Sequence, residues 1–292
     1  MNRPDQLHRF IFDHSDIRGE IVSLSASYRK VLSNGRYPPP VGELLGEMLS
    51  AAGLLSATMK FDGTLTLQAR GEGSLKLLMA DCTRHHSLRG IAKTASGETT
   101  QTEQGTFPEL IGRGHLAITI DPAQGERYQG IVPLEAPTLS GCLEHYFSQS
   151  EQLPTRLWLF ADGRDAGGLL LQALPTKLQS GEEREVYWQH LCTLADTITA
   201  EEMLSLESET ILTRLFHQEK LRLFEPRDMD FACSCSESRT AEMLLTLGEE
   251  EVMGIVEEMG SVEIDCQFCH QHYRFDRQQV ESLFSQQPDI LH

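Results

Sequence analysis

The sequence predicts an α+β chain with an N-terminal mixed sheet-and-helix core domain, a helical linker and a small C-terminal zinc-binding domain. Three observations predict it. Strand and helix signals in residues 1–177 do not alternate regularly, which argues against a doubly wound parallel sheet. The net charge of −18 is concentrated beyond residue 178, because residues 178–292 hold 8 Lys+Arg against 24 Asp+Glu, or −16 of the total. Four of the seven cysteines sit in two tight pairs near the C-terminal end. These signals divide the chain into a core (1–177), a linker (178–230) and a cysteine-bearing unit (231–292).

Within the core, Val41, Leu44, Leu45, Met48, Leu49 and Ala52 form one apolar stripe at helical spacing, entered through Pro38-Pro39-Pro40. Leu65 and Leu67 alternate with Thr64, Thr66 and Gln68, as in a half-buried strand. Leu116–Ile120 and Tyr128–Val132 flank a polar loop and read as a hairpin. Leu157–Phe160 and Leu169–Leu171, joined by an Asp/Gly-rich turn over 162–168, read as two further strands. Gly71-x-Gly73 and Gly112-x-Gly114 lack the third glycine of a dinucleotide fingerprint and read as turns.

The linker opens on the polar run Gln179–Glu183 and continues as short helices. Thr199 and Glu202 make a capping box, and Ser208 is the N-cap expected for the next helix. The expected packing face comprises Leu191, Leu194, Ile211, Leu212, Leu215 and Phe216, the last four forming i,i+4 pairs. Isolated helices shorter than about 12–15 residues are marginal in water, so these need a surface to lean on. In the C-terminal unit, helices at about 239–247 and 249–259 end at Gly248 and Gly260. Strands at Val262–Ile264 and Tyr273–Phe275 surround the second cysteine pair, and Asp276 with Gln279 caps a final helix.

The composition, 40% hydrophobic and 23% charged, is that of a globular protein. The N-terminal residues lack the apolar run of a signal peptide. No stretch reaches the roughly 18 consecutive apolar residues of a membrane span. The expectation is a cytoplasmic protein that binds no membrane. Its acidic C-terminal half disfavours nucleic acid, because like charge repels a phosphate backbone.

Chemistry concentrates at Cys233-Ser-Cys235 and Cys266-Gln-Phe-Cys269, with 30 residues between the pairs. Each pair can chelate one edge of a tetrahedron, and four soft thiolates suit one zinc per chain. His270 and His272 lie beside the second pair and read as surface residues or as supports for the ligands. Closed four-cysteine sites are commonly structural, so an inert zinc ribbon is one reading. A switch is the other, because thiolates are the oxidisable form and losing the metal costs the unit its folding free energy. Cys82, Cys142 and Cys192 stand alone and read as small buried hydrophobes. The sequence carries no Gly-x-Ser-x-Gly, no phosphate loop and no His-Glu-x-x-His, so no enzyme activity is expected.

The paired cysteines, with Gly125-Glu-Arg-Tyr-Gln-Gly130, Ser150-Glu-Gln-Leu-Pro-Thr-Arg-Leu157, Lys60-Phe-Asp-Gly63 and Asp5-Gln-Leu-His-Arg9, give a chain that resembles the redox-regulated heat-shock holdase chaperones of the bacterial cytoplasm. The resemblance covers essentially the whole chain. It implies an ATP-independent chaperone that is inactive when reduced and zinc-bound. Oxidation would then form Cys233–Cys235 and Cys266–Cys269 disulfides, release zinc and unfold the linker. The active form would be a homodimer that holds unfolding client proteins. A constitutive zinc-ribbon adaptor and, with less support, a thiol–disulfide oxidoreductase using Cys266 and Cys269 are the competing readings.

Overall fold

The computed structural model describes residues 3–58, 62–95, 105–175, 178 and 180–285. Lys60 and Phe61, residues 176, 177 and 179 at the expected core–linker boundary, and residues 286–292 lie outside the described residues. The chain divides into two compact units, Met1–Ala232 and Cys233–His292.

The first unit begins with the hairpin β1 (Gln6–Phe12) and β2 (Ile17–Leu24), followed by α1 (Ala26–Ser33) and α2 (Pro39–Thr58). Next come β3 (Gly63–Gly71), β4 (Leu75–Thr83), β5 (Ser87–Thr94), α3 (Phe107–Ile111), β6 (Gly114–Pro122) and β7 (Tyr128–Pro133). After α4 (Leu139–Tyr146), β8 (Thr155–Ala161) and β9 (Ala166–Ala173) form a second hairpin. The acidic stretch supplies α5 (Gly181–Ala195), α6 (Ala200–Ser205), α7 (Ser208–Leu215) and three short strands, β10 (Leu221–Leu223), β11 (Arg227–Asp228) and β12 (Asp230–Phe231).

Two sheets result. One has the order β10-β1-β2-β9-β8, with β11 also paired to β1; the other runs β12-β5-β4-β3-β6-β7. All pairings are antiparallel except β12 with β5. The α+β expectation therefore holds. Helix α2 packs against both sheets and buries Leu45, Met48, Leu49, Ala52 and Leu54 almost completely, so it is apolar nearly all round rather than on one stripe. Its first turn contains Pro39 and Pro40, where missing N–H donors cost nothing. The Gly-x-Gly runs are turns only in part: Gly71 ends β3 and pairs with Gly114, which begins β6, and the bends beside them are pressed together, so that a Cβ at Gly71 or Gly73 would run into the Ile111 or Leu110 carbonyl.

Alternation along the first sheet makes two cores. Leu7, Val22, Leu24, Leu157 and Leu170 face the core built on α2. Phe10, Phe12, Ile17, Ile21, Leu169 and Leu171 face the opposite way, and α5–α7 cover them. The polar run expected at residues 179–183 is in part a helix start, because Ser180 and Glu183 form a capping box for α5. Thr199 and Glu202 cap α6 as expected. Ser208 does not cap α7: Glu207 occupies the N-cap position, and Ser208 is the buried first residue of the helix. A buried start favours the residue that packs over the one that would cap.

The second unit comprises α8 (Glu237–Leu247), α9 (Glu249–Met259), the hairpin β13 (Ser261–Asp265) and β14 (His272–Asp276), and α10 (Arg277–Ser285). Gly248 and Gly260 take positive φ at the ends of α8 and α9. The Gln279 side chain accepts from the Asp276 N–H while Asp276 accepts from the Gln279 N–H, a reciprocal cap.

Candidate metal centre

The four cysteines of the second unit reach one point from two loops. The first loop is fixed by the N-terminus of α8: the Ser236 side chain accepts from the Arg239 N–H, and the Arg239 guanidinium donates back to the Ser234 carbonyl at 2.9 Å. Cys233 and Cys235 are therefore held on either side of a restrained residue. The second loop is the turn of the β13–β14 hairpin. The Cys266 N–H donates to the Gln271 carbonyl at 2.9 Å, and the His270 N–H to the Cys266 carbonyl at 2.8 Å. His270 takes a left-handed φ of 57°, which folds Cys266 and Cys269 to one side.

The Sγ atoms of Cys233 and Cys266 are 3.6 Å apart and those of Cys235 and Cys269 are 3.3 Å apart. All four lie within 4.8 Å of one another and are half-buried. A tetrahedral centre with sulfur bonds of about 2.3 Å has corners about 3.8 Å apart, so the cage fits one thiolate-bound metal ion. Among the described residues this is the one such cluster of His, Cys, Asp and Glu.

The electrostatics also suit a cation. Burial pushes the Cys269 thiol up to about 12, helped by its hydrogen bonds with Cys235, Cys233 and Cys266. Cys233 is also raised, chiefly by burial. Burial raises Cys235 too, but hydrogen bonds from Tyr273, Cys269, Cys233 and Cys266 outweigh it and bring that thiol down to about 7. Four sulfurs this close cannot all be anionic without compensating positive charge.

Both histidines are exposed, and His272 Nδ1 is 2.8 Å from the Asp265 carboxylate rather than joined to the sulfur cluster. Tyr273 is the residue sequence reasoning missed. On β14 it shares a face with the buried Phe275, and its hydroxyl donates to Cys235. Strand alternation places it on that face, but only the loop geometry brings the hydroxyl to the sulfur.

Of the six residues expected on the linker face, Leu191, Ile211, Leu212, Leu215 and Phe216 are buried in the second core of the first unit, and Leu194 packs at its rim. Trp188, Ile198 and Met203 join them there, although their spacing did not single them out. Phe216 stacks edge-on against Phe12 at 5.1 Å between centroids. Cys82, Cys142 and Cys192 are buried, and burial raises all three thiols, Cys82 and Cys192 to about 12.

The sequence profile of the Hsp33 protein family matches residues 5–276. A "33 kDa chaperonin" of Pseudomonas aeruginosa is 53% identical over 287 residues, covering 98% of this chain and 96% of its own. The protein of the same name from Azotobacter vinelandii is 51% identical, covering 96% and 95%. The crystal structure of the 33 kDa chaperonin from Thermotoga maritima superposes with a TM-score of 0.80 over 96% of this chain and 98% of that one, at 21% identity.

Proposed function

The chain belongs to the Hsp33 protein family, and from that premise we propose that it is a redox-regulated, ATP-independent holdase chaperone. The observation that carries the reading is the cage of Cys233, Cys235, Cys266 and Cys269. All four metal-type ligands of the small unit are oxidisable sulfurs. In the reduced form the four thiolates hold one zinc ion, which supplies the folding free energy of the unit, roughly 10–16 kcal/mol for structural zinc sites. Restraints from Ser236, Arg239 and Tyr273 orient the ligands.

Oxidation of two zinc-bound thiolates to a disulfide passes two electrons to the oxidant and takes no proton from the sulfurs, and the zinc ion leaves as its ligands lose their charge. The proposed bonds, Cys233–Cys235 and Cys266–Cys269, join sequence neighbours and leave no thiolate to retain zinc. Relaxation of the loops accompanies this, because the stated close sulfur contacts run across the pairs. We divide the chain functionally into a core (1–177), a linker (178–230) and a sensor (231–292). Loss of the folded sensor destabilises the linker, whose packing face of Leu191, Leu194, Ile211, Leu212, Leu215 and Phe216 then becomes available to unfolding clients. The active form is a cytoplasmic homodimer that binds neither nucleic acid nor membrane and performs no catalytic turnover. An oxidoreductase role has less support, because Cys266 and Cys269 lie in a hairpin turn rather than at the head of a helix.

The test is an oxidant titration with zinc release, free thiols and suppression of client aggregation read together. Four thiols and one zinc per chain should be lost as activity appears, and peptide mapping should return the two neighbour disulfides. Full activity with all four thiols reduced, or mainly cross-pair disulfides, would overturn the reading.

A further inference from the structure

In a chain of net charge −18, one corner of the first unit gathers cations. Arg9 on β1 faces the interior side of its sheet, opposite Glu20 on β2. Arg227 on β11 pairs with Leu7, two residues before Arg9, and so emerges on the same face. From the other sheet the β4–β5 turn brings Arg84, His85 and His86. The Asp230 N–H closes the corner by donating to the His86 carbonyl at 3.4 Å.

His86 is only 7% exposed and sits in left-handed backbone, with φ 61°. The Arg227 Nη1 lies 3.1 Å from His86 Nε2. A guanidinium only donates, so Nε2 accepts and the neutral ring carries its hydrogen on Nδ1. That Nδ1 is buried without a partner among the described residues. An unmet buried donor costs free energy unless something accepts from it.

The nearby carboxylates are engaged elsewhere. Asp228 accepts from Gln6 at 3.1 Å, Asp230 from Ser87 at 2.9 Å and Asp81 from Arg89 at 2.7 Å. Glu20 is 2% exposed, and burial raises it to about 7 against the pull of Arg18 and Arg9. The cations also act on one another. Burial lowers His86, and Arg227, Arg9 and His85 lower it further; burial, Arg9 and Arg84 lower Arg227.

We propose that Arg9, Arg84, His85, His86 and Arg227 form a binding site for a phosphate-type oxyanion. Guanidinium groups match the paired oxygens of such an ion, and His86, by accepting from Arg227, holds that guanidinium at the corner. A small oxyanion fits better than a nucleic acid, because the acidic remainder of the chain repels an extended polyanion. Arg227 belongs to the segment 221–231, whose strands pair with both sheets. An ion shared between Arg227 and Arg84 therefore fastens that segment to the core and stabilises the folded form by mass action.

The experiment titrates the reduced, full-length protein with inorganic phosphate, and in parallel with sodium chloride at matched ionic strength. Phosphorus NMR line width and the thermal midpoint are recorded. Saturable broadening and a rising midpoint with phosphate alone are expected. Arg84→Gln and Arg227→Gln should each weaken binding by about tenfold or more. Arg113→Gln, whose side chain is 95% exposed on another loop, should leave binding unchanged. Adenosine monophosphate distinguishes the source: equal affinity means the corner reads the phosphate alone, and tighter binding means it takes phosphate carried on a nucleotide. A response that never departs from the chloride control, or undiminished affinity in the correctly folded Arg84→Gln/Arg227→Gln double variant, overturns the site. No oxidant or client is involved, so that failure leaves the chaperone reading untouched.

Discussion

The acidic half of the chain contains two regions that hold together in different ways. The α5–α7 segment has no core of its own. It is fixed by burying Trp188, Leu191, Met203, Ile211, Leu212 and Phe216 on a ready-made sheet face of Phe10, Phe12, Ile17, Ile21, Leu169 and Leu171. The cysteine unit has a private core, but a small one of Ala241, Leu244, Val252, Val256, Val262, Phe275 and Val280. A chain of that size rarely folds on apolar burial alone and needs a metal or disulfides. One region thus depends on a neighbouring surface and the other on four sulfurs.

The largest expected effect breaks the sulfur side of this contrast. Cys233→Ser/Cys269→Ser should abolish zinc binding and unfold residues 233–285, a loss on the scale of roughly 10–16 kcal/mol. Metal analysis and amide exchange check it, with the sheets of the first unit keeping their protection. Phe216→Asp attacks the other side. Emptying a buried phenylalanine site costs about 3–5 kcal/mol, and a carboxylate there adds a desolvation penalty. Exchange should rise across residues 181–216 in the reduced, zinc-bound protein, and aggregation of a test client should fall without oxidant. A variant that exchanges freely yet holds no client would show that uncovering this face is not enough.

A smaller effect is expected from Tyr273→Phe, which removes the hydroxyl that donates to Cys235 while keeping the ring. Loss of such a support for a ligand typically lowers metal affinity by roughly 10- to 100-fold. Competition against a zinc chelator measures it. The smallest signal concerns the three lone cysteines. Cys82, Cys142 and Cys192 are buried in the first unit, whereas the four clustered thiols are half-exposed and are freed when zinc is stripped, so alkylation of the zinc-stripped protein near pH 8 should label those four and spare these three. Mass spectrometry counts the labels.

What the sequence made legible follows from how local each signal is. The cysteine spacings, the Thr199–Glu202 box, the Asp276–Gln279 cap and the terminal glycines are settled within a few residues, and all recur in the structure. The hairpins β6–β7 and β8–β9 were readable because their strands are adjacent in sequence. The cover that α5–α7 give to β1 and β2 was not, because Phe12 and Phe216, which meet in it, stand about 200 positions apart. Strands β10–β12 are two or three residues long and owe their existence to the edges they extend. Tyr273 and the cationic corner likewise exist only once distant loops meet.

The central claim is that the sulfur cage governs whether the α5–α7 face stays covered. Amide exchange over residues 181–216, before and after an oxidant has removed four thiols and one zinc per chain, tests it most directly. The account predicts that protection there is lost together with that of residues 233–285, while β2 and β9 remain protected. Residues 181–216 that stay fully protected in an oxidised, zinc-free protein that nevertheless suppresses aggregation would contradict it.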